Sequence, residues 1–119
     1  MQVAWPGGLA LIDPLALDVR SLTKLFDSPA VAVAHAAQQD LDVLTHAVGA
    51  VPAAMFDTQI AAGFAGYGTP SLVSLLQGEV GVSPAKGDRL TDWLRRPLSQ
   101  PLLRREARTN DARNRQSAR

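Results

Sequence analysis

The chain contains no cysteine, which excludes disulfide staples, thiolate nucleophiles and cysteine-ligated zinc together. Aromatic residues make up only 5% of it, so any core must be built from small and aliphatic side chains. An excess of one charge sign is also missing. The formal net charge is +1, which creates no global field to draw in nucleic acid or a membrane surface. No apolar run approaches the roughly 20 residues of a membrane-spanning helix. The opening MQVAWPGG has neither the basic start nor the long apolar stretch of a secretory signal. These absences lead to the expectation of a cytoplasmic protein with no membrane partner. No Ser–His–Asp grouping, P-loop or glycine-rich dinucleotide pattern is present.

What the sequence does have is an alternation of short apolar runs with helical spacing. The 119 residues suit one domain. Pro6-Gly7-Gly8 is a turn signal. LALI, Leu9 to Ile12, and VAVA, Val31 to Ala34, are short runs bounded by turn residues, and each reads as a buried strand. Asp18 or Ser21 is placed to cap a short helix carrying Leu22, Leu25 and Phe26, which stops at Ser28-Pro29. From Ala36 the period becomes 3.6, with Leu41, Leu44 and Val48 on one face and Gly49 as the stop. Ala54-Met55-Phe56 is a third apolar run, followed by helical spacing through Ile60 and Phe64 to Gly66. Thr69-Pro70 is expected to open a further helix carrying Leu72, Leu75 and Leu76. Residues 78–87 read as a loop, and a last helical piece is expected near Thr91. Strands alternating with helices predict a three-layer α/β domain with a largely parallel sheet. In such sheets ligands gather beyond the carboxyl ends of the strands, where His35 and Asp57 fall.

Composition changes abruptly after Leu103. Residues 104–119, RREARTNDARNRQSAR, hold no Leu, Ile, Val or Phe. They cannot bury an apolar face and are expected to form a basic, solvated tail or a frayed helix, leaving residues 1–103 as the domain.

Each candidate residue has a plain structural reading beside a functional one. Asp40 lies near a helix start, where the dipole favours an acid whatever its function. Asp42 points elsewhere, because residues two apart on a helix do not share a face. His35, at a strand end, reads as a ligand, a substrate contact or an ordinary hydrogen-bonded residue. His46 reads as surface. Asp57 most simply caps the next helix, with Thr58 beside it. Lys86, Arg89, Arg95 and Arg96 surround Trp93. The basic groups could neutralise phosphates and the indole could stack on a base; equally, Trp93 could anchor a loop whose charges are solvated.

Four stretches are familiar in their order and spacing: LIDPLAL at 11–17, HAAQQDLDVL at 35–44, FDTQIAAGFAGYG at 56–68 and TDWLRRPLS at 91–99. Together, over about residues 9–100, they resemble ribonuclease D-like 3′–5′ exonuclease domains, members of the DEDD superfamily on a ribonuclease H-like fold. The resemblance implies metal-dependent hydrolysis of RNA from its 3′ end, tRNA ends among the substrates, with two Mg²⁺ or Mn²⁺ ions. It implies that Asp40 is the metal-binding, catalytic acid of the H-A-x-x-x-D-L motif, with His35 near the substrate path. Asp57 and Thr58 match the D-T pair beside the active site. Trp93 and its basic neighbours match the segment leading to the last catalytic helix.

Two departures shape the expected function. The family's first motif, D-x-E on the opening strand, should precede LIDPLAL and is absent. The third, Y-A-x-x-D, should follow TDWLRRPLS. An ungapped count puts Arg105 and Thr109 at its tyrosine and aspartate, and a shift of one puts Glu106 and Asn110 there. Of the acids expected to hold metal, Asp40 alone stands in place, and several carboxylates must converge to hold two ions. The ribonuclease H-like fold is therefore expected to be incomplete, truncated at both ends and inactive alone. The opening strand of that fold lies between the hairpin containing LALI and the strand VAVA. Without it two strand edges lack partners, so a marginal or self-associating chain is expected. The rival readings are a non-catalytic nucleic-acid-binding or interaction module, and a gene remnant without function.

Overall fold

The structure, a computed structural model, describes residues 1–83 and 94–97. These fall into two compact units, one containing Met1–Leu15 and residues 94–97, the other Ala16–Ser83.

The first unit is built on an antiparallel hairpin. Strand β1 (Gln2–Trp5) pairs with β2 (Gly8–Leu11), with Gln2 opposite Leu11 and Trp5 opposite Gly8. Gly7 turns the chain at φ 88°, a conformation that costs glycine nothing. A side chain at Gly8 would overlap the Trp5 ring, whose atoms lie 2.4 Å from where a Cβ would sit. The residue pattern gave no separate strand at Gln2–Trp5, which has only one β-branched residue; the hairpin implied by the resemblance accounts for it. The expected burial of LALI is not met. Gly8, Leu9 and Ala10 are half-buried and Leu11 is exposed.

Asp13 follows β2 and is the second organising residue of this unit. Its carboxylate accepts the Leu15 N–H at 3.1 Å. It also accepts two bonds from the Arg96 guanidinium, Nε to Oδ2 at 2.6 Å and Nη2 to Oδ1 at 2.5 Å. Arg96 holds Asp13 below the usual carboxylate range, and Asp13 in turn raises Arg96. The fork also donates through Nη1 to the Arg95 carbonyl at 3.1 Å. Two parallel N–H···O bonds fix direction as well as distance, so this pair ties 94–97 to the end of the hairpin. Asp13→Ala and Arg96→Ala should each speed limited proteolysis next to residues 94–97, and the double variant should add little to either. Full additivity of the two would show that they act separately.

The second unit begins with a 3-10 turn, Val19–Leu22, whose first residues are capped by the Asp18 carboxylate on the Arg20 N–H at 3.0 Å. Helix α1 (Thr23–Phe26) follows directly. Of the two caps open to the sequence reading, Asp18 is used. Strand β3 (Val31–Ala34) then leads to α2 (Gln38–Val48), which Gly49 ends in the left-handed region at φ 80°. Strand β4 (Ala54–Asp57) passes into α3 (Thr58–Phe64) without a loop. β3 and β4 are parallel, with Val33 opposite Phe56 and Ala34 opposite Asp57. Helix α4 (Leu72–Val80) is capped by Ser71, whose Oγ accepts the Ser74 N–H at 3.2 Å. This start is later than Thr69-Pro70, because Pro70 only precedes the capping hydroxyl. Gly78 and Glu79 are helical rather than looped; the stop is Gly81 at φ 67°. The helical piece near Thr91 and the tail at 104–119 lie outside the described residues.

The core of this unit is light. Its buried apolar residues are Val19, Phe26, Ala37, Val48 and Ala62. The α1 end is tied to the β4 entry by the Ala53 N–H donating to the Phe26 carbonyl at 2.9 Å. The helix face expected on α2 turns inward, with Val48 buried and Leu41 and Leu44 half-buried. VAVA, however, is not a buried strand. Its side chains alternate, so the two alanines take the half-buried side while Val31 and Val33 stand 59% and 69% exposed. Ile60 and Phe64, expected as the apolar face of α3, are 62% and 92% exposed. The inward residues of α3 are instead Ala62, which is buried, and Thr58, Gln59 and Ala61, which are half-buried.

Candidate functional site at the carboxyl ends of the parallel strands

Because β3 and β4 run in the same direction and in register, both deliver their last residues to one edge. His35 follows Ala34, and Asp57 lies opposite Ala34. A third group reaches the same edge through the β3–α2 turn.

Asp57 is the centre of the arrangement. Oδ1 accepts the Gln59 N–H at 2.8 Å and the Ile60 N–H at 3.5 Å, which caps α3. The same carboxylate reaches across to the other strand end. Oδ1 accepts the Ala36 N–H at 3.1 Å and Oδ2 the Ala37 N–H at 2.8 Å. Ala37 is the N-cap of α2 and supplies no side-chain cap of its own. One carboxylate therefore stands at the start of two helices, where unpaired N–H groups and both dipoles favour negative charge. These backbone donors, the Ala37 N–H foremost, hold Asp57 below the usual carboxylate range, against the opposing effect of burial. They also hold Ala36 at φ 56°, a left-handed conformation that alanine rarely takes alone.

His35 is half-buried, and its Nδ1 lies 3.0 Å from the Thr58 hydroxyl. That hydroxyl donates to the Ala34 carbonyl at 2.9 Å. His35 Nε2 is buried and has no hydrogen-bond partner among the described residues. Asp40 lies in the first turn of α2 with an exposed side chain. His46 is on the surface, its ring donating from Nδ1 to the Asp42 carbonyl at 2.8 Å.

The structure thus brings His35, Asp57 and Thr58 to one edge, with His35 joined to Thr58 and Asp57 bound to backbone N–H groups at the starts of α2 and α3, and with Asp40 in the first turn of α2. Arg95 is exposed, and the Arg96 guanidinium lies on the Asp13 carboxylate. Lys86, Arg89 and Trp93 lie outside the described residues. Sequence reasoning missed the Asp13–Arg96 pair and the second reach of Asp57. No local pattern signals either, since both join residues far apart in the chain.

In α/β domains the edge beyond the carboxyl ends of parallel strands is where ligands gather, and His35 and Asp57 stand there. The comparisons with known proteins narrow this. The sequence model of the 3′–5′ exonuclease domain matches residues 1–104, and the chain belongs to that family. It is similar to ribonuclease D of Bartonella henselae, 39% identical over 108 residues, and to ribonuclease D of Granulibacter bethesdensis, 42% identical over 110. Each match covers 87% of this chain and about a quarter of the relative, 26% and 27% respectively. The crystal structure of Escherichia coli RNase D, described as an exoribonuclease involved in structured RNA processing, superposes with a TM-score of 0.79. It is 33% identical, over 91% of this chain and 30% of that one. The mixed helix–strand architecture is accordingly that of the ribonuclease H-like fold.

The 3′–5′ exonuclease family is generally dependent on divalent metal. Among the described residues, however, no group of three or more His, Cys, Asp or Glu converges on one point. A single exposed carboxylate does not fit a centre of two ions, whose charge must be balanced by several oxygen ligands.

Proposed function

We propose that this chain is the part of a ribonuclease D-like 3′–5′ exonuclease domain that carries the second acidic motif. In this reading it serves metal-dependent hydrolysis at RNA 3′ ends, tRNA ends among them, and does not catalyse alone. The observation that carries the reading is Asp40 in the first turn of a helix whose start is fixed by Asp57 from the neighbouring strand. Asp40 is the acid that would hold Mg²⁺ or Mn²⁺, and His35 borders the RNA path. Lys86, Arg89 and Arg95 supply phosphate contacts with Trp93 as a stacking surface, and Arg96, already matched by Asp13, aligns them. The family match over 1–104 supports 1–103 as the domain and 104–119 as an appended basic tail. The relatives are bacterial ribonucleases D, and we take the cytoplasm as this chain's location. Among the described residues no helix is long and apolar enough to cross a membrane. Self-association through the edge of β3 that has no strand partner among the described residues belongs to the same proposal.

The lack of a convergent acid group among the described residues favours a second reading, a non-catalytic RNA-binding module. One assay addresses both. The chain is incubated with 5′-labelled single-stranded RNA in Mg²⁺ or Mn²⁺, beside Asp40→Ala. No stepwise shortening is expected from either protein. Shortening by the wild type that Asp40→Ala abolishes would overturn the conclusion that one acid is insufficient. Shortening that persists in Asp40→Ala would remove Asp40 from the site. Salt-sensitive retention of the RNA without shortening favours the binding module.

A further inference from the structure

We infer that Thr58 is a positioning residue that fixes His35 as the Nδ1–H tautomer, so that the ring meets its partner through Nε2 as a hydrogen-bond acceptor. A hydroxyl has one hydrogen to give. Thr58 gives it to the Ala34 carbonyl at 2.9 Å. The 3.0 Å contact between Thr58 Oγ1 and His35 Nδ1 must then take its hydrogen from the ring. A neutral imidazole with hydrogen on Nδ1 carries a bare lone pair on Nε2.

The far side of the ring agrees. Among the described residues His35 Nε2 is buried without a partner. A hydrogen there would be a buried donor facing no acceptor, a rarer condition than a bare acceptor. In the order Ala34 carbonyl, Thr58 hydroxyl, His35 ring, the first two members are held by secondary structure. Ala34 is a β3 residue paired with Asp57, and Thr58 is the first residue of the helix that Asp57 caps.

The consequence is chemical. The group that satisfies Nε2 brings a hydrogen: it is an O–H or N–H donor. Phosphate oxygens and carboxylates, which bring only lone pairs, do not fit the neutral ring with its hydrogen on Nδ1. His35 is thereby set apart from the basic residues assigned to phosphate. The relevance of this to RNA rests on the exonuclease reading, but the tautomer itself does not.

Long-range ¹H–¹⁵N correlation spectra of the full chain, labelled at histidine, read the tautomer directly. The wild type and Thr58→Ser, which keeps the hydroxyl, should show hydrogen on Nδ1 and a bare Nε2. Thr58→Val, which keeps the shape and removes the hydroxyl, should lose this pattern and move toward Nε2–H. A wild-type ring with hydrogen on Nε2 overturns the inference, whatever the variants do. So does a Thr58→Val spectrum unchanged from wild type in a protein that still melts as a folded chain. If Thr58→Val does not fold, the wild-type and Thr58→Ser spectra decide alone. Failure of the RNA assay leaves this result standing, and a wrong tautomer leaves the exonuclease reading standing.

Discussion

The purified chain is expected to self-associate, with an apparent mass in sedimentation that rises with concentration, and to bind a hydrophobic dye strongly before any heating. The reason is the side of the β3–β4 pair that carries its largest side chains. Val31 and Val33 on β3 are 59% and 69% exposed, and Phe56, which lies opposite Val33, is 50% exposed. Ile60 and Phe64 on α3 add 62% and 92%. A parallel pair with one such face open to water is unusual, because parallel sheets are ordinarily covered on both sides. Among the described residues β3 is hydrogen-bonded to β4 alone, so its other edge also offers unpaired backbone groups for another strand. Contiguous apolar surface and an open edge each drive association. Val33→Lys combined with Phe56→Lys places two charges on the strip without touching the buried residues. It should lower the apparent mass and the dye signal together. A wild-type chain that sediments as a concentration-independent monomer and melts in one sharp transition would sink this account.

Asp57→Ala is expected to be the most damaging single substitution in the second unit. It removes the acceptor of four backbone N–H groups, those of Ala36, Ala37, Gln59 and Ile60. The start of α3 loses its cap, and the β3–α2 turn loses the contact that holds Ala36 at φ 56°. One lost cap alone lowers a small domain's melting temperature by roughly 4–8 °C, and here two helix starts share the loss. Asp57→Asn keeps one acceptor oxygen and should fall between wild type and alanine. The pH dependence has a definite sign. Asp57 ionises at a lower pH when folded than when unfolded. Its contribution is therefore complete above the ordinary carboxylate range, and it is lost as pH falls below about 4 toward the folded value. Asp18, lowered to about 2 mainly by its bond to Arg20, adds a loss in the same acid range, but it is common to all three proteins. Melting curves of wild type and Asp57→Asn should therefore differ most near neutrality and converge in acid. A difference that grows as pH falls would refute the assignment.

The elements most legible in the sequence were those marked by local chemistry. Gly49 ended α2, Asp18 capped the 3-10 turn, and Asp57 capped α3, each because one residue decides its own neighbourhood. The meeting of His35, Asp57 and Thr58 at one edge was legible to the extent that strand ends could be located, since parallel strands place their final residues together. Burial was less legible. VAVA has the composition of an interior strand, yet composition does not say what will lie against it, and its valines face outward. The hidden parts were contacts between distant residues. Asp13 looked like a strand stop and Arg96 like a phosphate ligand, and only the folded chain joins them. In the same way, the start of α2 carries no capping residue of its own, because its cap arrives from the end of β4.

The in-step pairing of Ala34 with Asp57 has an evolutionary side. Everything between them is a detour that leaves the edge and returns to it, so the stretch after Gly49 can gain or lose residues without disturbing who meets at the rim. Selection is free to lengthen that excursion to reach a new neighbour, whereas a single deletion inside either four-residue strand would swing histidine or aspartate to the opposite side and dismantle the junction at once.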